Sequence, residues 1–303
     1  MTASAHRWRE LRDDATRRLQ RARFEAAARE AWWMVEEASG LHGADLVSGE
    51  DERATVVAER RIDQMVERRI AGEPLQYVLG SWSFRGIDLF VDPRVLIPRP
   101  ETEVTAQVAI DEAARLGADV GRRPAWSGIT TSYIVADLGT GSGALALALA
   151  AELPDAEVWA TDHSADALAV ARANLAGAGS TATRVRVAEG SWFDALPDEL
   201  RGRLRVVVSN PPYVSEPEVA DLPPDVAWHE PREALVSGAT GLEAIEEILR
   251  EAPGWLEPDG VVVLELDPRR VDAAADLARE AGFTDVRAED DLTGRPRVLV
   301  ARR

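Results

Sequence analysis

Ser209-Asn210-Pro211-Pro212-Tyr213 sets an amide side chain, two prolines and an aromatic ring behind the run Leu204-Arg205-Val206-Val207-Val208. The apolar, β-branched run reads as a buried strand. Consecutive prolines cannot donate to a ladder, so the strand must stop there. The residue before a proline is also pushed away from helical dihedrals. Asn210 therefore stands at a strand's carboxyl end, the edge at which open α/β sheets bind ligands. Such a set can recognise a planar –NH2 group. The Asn210 oxygen and the Pro211 carbonyl accept its two hydrogens, Pro212 stiffens the wall, and Tyr213 stacks on the face. Taken alone, the stretch also reads as a proline-ended strand with a surface Asn.

A second constellation lies upstream. Asp137-Leu138-Gly139-Thr140-Gly141-Ser142-Gly143 joins a strand, Tyr133-Ile134-Val135-Ala136-Asp137, to a helix from Ala144 to Glu152. Its glycines allow a tight turn and close backbone approach to a ligand. No Lys follows, so this is not the phosphate loop of nucleotide hydrolases, and the Gly-x-Gly-x-x-Gly spacing of nicotinamide sites is missing. The next strand ends Ala160-Thr161-Asp162, which puts an acid where such folds bind ribose hydroxyls. Trp192, after a third strand, suits either an adenine cover or a core position. Loop, acid, aromatic and Asn-Pro-Pro-Tyr in this order are far more specific than any one of them.

The elements that position these residues follow from pattern. From residue 131 strands and helices alternate, and Phe283–Ala288 and Val298–Ala301 close the chain as an antiparallel pair. This predicts a mostly parallel sheet covered on both faces. Residues 1–75 instead repeat apolar positions at three- and four-residue steps: Leu11, Ala15, Leu19, Ala22; Ala26, Ala27, Ala31, Met34; Ile62, Met65, Val66, Ile70. A small helical bundle is expected there, broken at Ser39–Gly43, with one of Trp32 and Trp33 in the core. Its role is to pad the fold or to dock a macromolecular partner. Residues 76–100 read as a β-hairpin linker turning at Arg85-Gly86, followed by an extended segment with Pro98 and Pro100. Arg99, Glu101 and Glu103 there either line a site or favour a helix N-terminus. Residues 101–303 form the α/β domain, and Pro124–Gly128 reads as a loop.

Composition bounds the function. The 303 residues are 46% hydrophobic and 29% charged, which is globular. A net charge of −18 disfavours a direct nucleic-acid partner, because phosphate binding needs clustered cations. There is no Cys, and the four His are scattered without ligand spacing, so no metal is expected. No run is long enough for a membrane span, the N-terminus lacks the apolar core of a signal peptide, and a cytoplasmic monomer is expected.

With these residues in view, the chain resembles the seven-strand S-adenosylmethionine-dependent methyltransferases, in the branch whose Asn-Pro-Pro-Tyr marks methylation of planar nitrogens. Gly72-Glu73-Pro74-Leu75-Gln76-Tyr77, Phe84–Phe90, Val95–Glu103, Asp137–Ala148, Glu230-Pro231 to Leu235 and Asp291-Leu292-Thr293-Gly294-Arg295 are similar to the HemK/PrmC family, over essentially the whole chain. The resemblance implies a Rossmann-like methyltransferase domain behind a helical substrate-docking domain. It implies S-adenosyl-L-methionine as methyl donor. The implied target is the N5 amide of the glutamine in the Gly-Gly-Gln motif of peptide-chain release factors. Gly139, Thr140, Gly141, Ser142, Gly143, Asp162, Trp192 and Asn210 would hold the cofactor. Asn210, Pro211, Pro212 and Tyr213 would hold the glutamine, with Asn210, Pro211 and Tyr213 catalytic.

One stretch departs from the family pattern. A Gly and a Gln are usual after the acid of the fifth strand, whereas this chain has Glu265-Leu266-Asp267-Pro268-Arg269-Arg270. Two other functions remain to be separated: an amino-methyltransferase of nucleic-acid bases, which would need a cationic surface, and a non-catalytic adaptor for translation factors.

Overall fold

The computed structural model describes residues 3–119 and 133–303. Pro124–Gly128, read above as a loop, lies outside them. Two compact units emerge: one runs to Ser81 and includes Pro223–His229, the other comprises Trp82–Leu222 and Glu230–Arg303.

In the first unit, β1 (Ala3–Arg7) leads into helices α1 (Trp8–Arg21), α2 (Ala27–Ser39) and α3 (Ala44–Gly49). Then come β2 (Arg53–Thr55), α4 (Val56–Ile70) and α5 (Leu75–Leu79). The helical periodicity is borne out where it matters: Leu11, Ala15, Leu19, Ala31, Met34, Ile62, Met65 and Val66 are buried in one cluster. Ala22 and Ile70, at helix ends, are exposed. Three differences from the sequence reading have physical causes. The antiparallel pair β1–β2 was not expected, since three- and five-residue strands carry no periodic signal. Trp32 and Trp33 are both half-buried, each under an arginine, Arg12 and Arg29 respectively, so neither is the core tryptophan. The span 75–79 is helical rather than part of a hairpin, because Leu75 and Val78 bury in the helical cluster and Gly80 closes the turn at φ +78°.

The second unit opens with the hairpin β3 (Ser81–Phe84) and β4 (Ile87–Phe90), turned at Arg85-Gly86 as expected. In chain order follow α6 (Pro100–Asp119), β5 (Tyr133–Leu138), α7 (Ala144–Glu152), β6 (Ala156–Asp162), α8 (Ala165–Gly177), β7 (Val185–Glu189), β8 (Leu204–Ser209) and β9 (Val214–Ser215). After α9 (Pro224–His229), which belongs to the first unit, come α10 (Arg232–Leu235), β10 (Val236–Gly238), α11 (Glu243–Glu251), β11 (Leu256–Glu265), α12 (Val271–Glu280), β12 (Asp285–Asp290) and β13 (Pro296–Arg302). Seven strands form one sheet in the order β12-β13-β11-β8-β5-β6-β7, parallel except for β13. This is the seven-strand α/β fold the alternation predicts. Every residue of β8 is buried, as a central parallel strand covered on both faces requires. Strand order reverses between β5 and β8, so ligand-binding groups are expected at the carboxyl ends of these two strands.

Candidate active site

The turn after β5 is held from three sides. Asp137, fully buried, takes the Thr140 hydroxyl at 2.6 Å and the Ala146 N–H at 3.0 Å on Oδ2. Its Oδ1 has no partner among the described residues, and burial pushes the carboxyl up to about 7 against the pull of the Thr140 hydrogen bond. Asn174 on α8 reaches over, donating to the Ser142 carbonyl at 2.8 Å and to the Phe90 carbonyl at 3.0 Å. Gly139 must be glycine: its φ is +72°, and an added Cβ would sit 3.3 Å from the Trp192 ring.

Asp162, at the end of β6, is prepared by the backbone. Its Oδ2 accepts the Gly141 N–H and its Oδ1 the Ser164 N–H, each at 2.9 Å. Each oxygen keeps lone-pair capacity for a further donor. Trp192 adopts φ +42° and donates its indole N–H to Glu247 Oε2 at 3.1 Å. Its neighbour Phe193 takes the core position, stacked 5.6 Å from Trp255, and leaves Trp192 on a wall.

That wall bounds a cleft open to solvent. The structure brings Gly139, Thr140, Gly141, Ser142, Asp162, Trp192, Asn210, Pro211 and Pro212 together around it. Gly143 is not in the lining: it caps α7 at φ +84°. Tyr213 is not in the lining either. It packs against the apolar core, and burial, with the nearby Glu265 charge, pushes its phenol up to about 12, so it stays neutral. Tyr213 thus adds no stacking surface to this wall: β8 stops at Ser209, and four residues on the ring packs against the core.

Asn210 is half-buried, and its Nδ2 donates to the Thr102 hydroxyl at 3.3 Å. Thr102 was not singled out from sequence, although it lies in the Pro98–Glu103 segment suspected of lining a site. Val95, Leu96, Pro98 and Thr102 do line the cleft. Two charged residues of that segment are engaged elsewhere: Arg99 pairs with the buried Glu230, and Glu103 accepts the Arg85 N–H at 3.2 Å. Pro231, Glu233 and Ala234 complete the rim.

The departing stretch forms a clamp. Asp267 accepts the Arg269 N–H at 2.8 Å and pairs with its guanidinium. Arg269 and Arg270 both reach Glu218, in the helical turn Glu216–Asp221 just after the Asn-Pro-Pro-Tyr segment. Glu218 also takes the N–H and hydroxyl of Ser215, and these bonds, before Arg270, hold its carboxyl down to about 2.

The pieces fit a ligand with a ribose, a flat heterocycle and a polar arm: a backbone cradle at Gly139–Ser142, an acid with spare acceptors, and apolar cover from Leu145, Ala167 and Trp192. Comparison with known proteins names the class. The profile described as "Methyltransferase small domain" matches residues 107–229 and "PrmC N-terminal domain" matches residues 10–80. The chain is an S-adenosylmethionine-dependent methyltransferase. It is 38% identical over 295 residues to a release factor glutamine methyltransferase of Deinococcus radiodurans, covering 97% of this chain and 98% of the relative. It is equally 38% identical over 297 residues to that of Moorella thermoacetica, again covering 97% and 98%. It is 41% identical over 245 residues to that of Mycolicibacterium smegmatis, covering 80% and 79%. The chain belongs to the family of the release factor glutamine methyltransferases. The solved catalytic domain of hMettl16, in complex with the MAT2A 3'UTR hairpin 6, shares the fold at a TM-score of 0.53 and 14% identity, covering 81% of this chain and 80% of that one.

Proposed function

We propose that this protein methylates the N5 side-chain amide of the glutamine in the Gly-Gly-Gln motif of peptide-chain release factors. The observation that carries this reading is the Asn210 amide. Its nitrogen is occupied by Thr102, which leaves Oδ1 as an acceptor beside the cofactor cradle, next to two prolines that keep the wall rigid. Near-whole-length similarity to relatives named for this activity supports the substrate class.

In this reading Gly139, Thr140, Gly141, Ser142, Asp162 and Trp192 hold S-adenosylmethionine, with Asp162 on the ribose hydroxyls. The bound cofactor supplies an electrophilic sulfonium methyl group. A carboxamide nitrogen is a poor nucleophile because its lone pair is delocalised into the carbonyl. Asn210 Oδ1 and the Pro211 carbonyl take its two hydrogens and orient the lone pair. Alignment of this kind supplies up to roughly 7–11 kcal/mol in intramolecular models. The same acceptors stabilise positive charge developing on nitrogen more in the transition state than in the ground state. Asn210 is neutral and is no general base; the proton leaves to water after transfer.

The helical unit docks the release factor, and the chain acts as a cytoplasmic monomer without direct nucleic-acid contact. Among the described residues no helix is long and apolar enough to cross a membrane. The test is transfer of labelled methyl to a purified release factor, with DNA and RNA in parallel and mass spectrometry of the product. A methyl on the Gly-Gly-Gln glutamine supports the reading. Label in nucleic acid, or none in either substrate, overturns it.

A further inference from the structure

Trp192 stands on the wall of the cleft, yet its backbone does not favour that placement. Its φ of +42° lies in the left-handed region, which bulky residues rarely adopt. The next residue, Phe193, is anchored in the core by its stack on Trp255, while the Trp192 ring lies half-buried at the margin of that core. A ring that borders an open cleft needs contacts of its own to hold its plane, because the χ2 torsion of an aromatic side chain is broad.

Two opposite edges of the indole supply those contacts. The benzo edge lies on the glycine turn: a Cβ at Gly139 would meet Cζ3 at 3.3 Å and Cη2 at 3.9 Å. The N–H, on the other edge, donates to Glu247 Oε2 at 3.1 Å. An indole N–H only donates and a carboxylate oxygen only accepts, so the sense of this bond is settled. Glu247 sits on a fixed element. Ile245, Ile248 and Leu249 of α11 are buried in the same cluster as Phe193 and Trp255. Glu243 secures the first turn of that helix by taking the N–H of Thr240 at 2.7 Å and of Gly241 at 2.9 Å. Glu247 itself does not line the cleft.

We propose that Glu247 is a positioning residue for the cofactor: by holding the indole N–H of Trp192 from outside the cleft, it fixes the ring as a flat wall for the adenine. This rests on the reading of Trp192 as part of the S-adenosylmethionine site. Gly139 sets how closely the ring approaches the glycine turn, and Glu247 sets its plane. In this role Glu247 touches neither the cofactor nor the reacting atoms, so its effect falls on cofactor binding rather than on methyl transfer.

The experiment is a double-mutant cycle read by calorimetry of S-adenosylmethionine and S-adenosylhomocysteine binding. Glu247→Ala and Glu247→Gln are each made in the wild-type chain and in Trp192→Phe, which keeps a ring and removes the N–H. In the wild-type chain Glu247→Ala is expected to weaken binding by about 5- to 30-fold, the loss of one part-buried hydrogen bond to a charged group. The factor should be the same for both ligands, because they share the adenosyl group. Glu247→Gln, whose amide oxygen still accepts, should bring affinity back to within about threefold of wild type. In Trp192→Phe the same Ala substitution should change affinity by less than about twofold, since no N–H is left to hold. A merely structural role of α11 would weaken binding in both backgrounds. Turnover of a Gly-Gly-Gln peptide should show the loss in KM for the cofactor rather than in kcat. Ala is a strong helix former, so α11 should persist, and Glu247→Met answers the same question if the Ala variant does not fold. Wild-type affinity in Glu247→Ala, failure of Gln to rescue, or equal weakening in both backgrounds overturns the proposal. Trp192→Ala separates the two readings. If it weakens binding while Glu247→Ala does not, the cofactor wall stands and only the role of Glu247 falls; wild-type affinity in Trp192→Ala removes both.

Discussion

Ser209 Oγ donates to the Leu138 carbonyl at 2.6 Å, both groups buried. Leu138 opens the glycine turn and Ser209 opens the Asn-Pro-Pro segment. The strand ends that carry the two halves of the cleft are thus joined by a side chain beyond the end of their ladder, whose last pair is Asp137 with Val208. Removing the donor strands a buried carbonyl, which costs about 1–3 kcal/mol. Ser209→Ala is therefore expected to lower unfolding stability by that amount in urea titrations and to weaken cofactor binding. An unchanged midpoint would show that the two strand ends need no such tie.

On the proposed reading, Asp162→Ala removes the acceptors for the ribose hydroxyls, and it also removes the partner of the Gly141 N–H. Affinity for S-adenosylmethionine should fall by about 1.5–3 kcal/mol, the range for a hydrogen bond to a charged group. Asp162→Asn, which keeps one acceptor, should fall less. Calorimetry giving wild-type affinity in both variants would count decisively against the assignment.

Asn210→Ala should slow methyl transfer by about 10²–10³, the loss seen for a single pre-positioned polar contact, with cofactor affinity unchanged. The backbone there is set by the strand and two prolines rather than by the side chain, so the fold should persist. Single-turnover kinetics on a Gly-Gly-Gln substrate is the measurement, and a wild-type rate would sink the mechanism.

Removal of the helical unit tests its docking role. A cut after residue 75 would sever α5, whose Leu75 and Val78 belong to that unit's core, so the cut belongs after Gly80, between α5 and β3. The remaining chain should bind S-adenosylmethionine and methylate a short peptide, while losing most of its activity on intact release factor. Full activity on the intact factor would show that docking resides elsewhere.

Glu218 gives a pH signature. Its carboxyl sits at about 2 in the folded protein against an ordinary 4.5, held by Ser215 first and the arginine after. A depressed carboxylate contributes stability that is complete above the unfolded value and lost as pH falls through the folded one. The stability gap between wild type and Glu218→Gln should therefore be flat above about pH 5 and close between 4.5 and 2. Denaturant titrations across that window that show a constant gap would refute it.

Local chemistry made much of this protein legible in its sequence. The order of strands and helices from Tyr133 onward, the glycine turn, the Asp162 position and the proline stop behind Asn210 depend on neighbours within a few residues, and each was readable. What the chain itself could not reveal depends on partners far away along it. Whether Trp192 or Phe193 takes the core was decided by the stack on Trp255. That Tyr213 packs on the core rather than lining the cleft was decided by the distant residues of that core. The Asp267–Arg270 stretch gained a role only when the fold brought it to Glu218. The partner of the Asn210 Nδ2 group is Thr102, more than a hundred residues earlier. A periodic pattern states which face of an element is apolar; it cannot state which distant hydroxyl will meet which amide, because that is set by packing of the whole sheet.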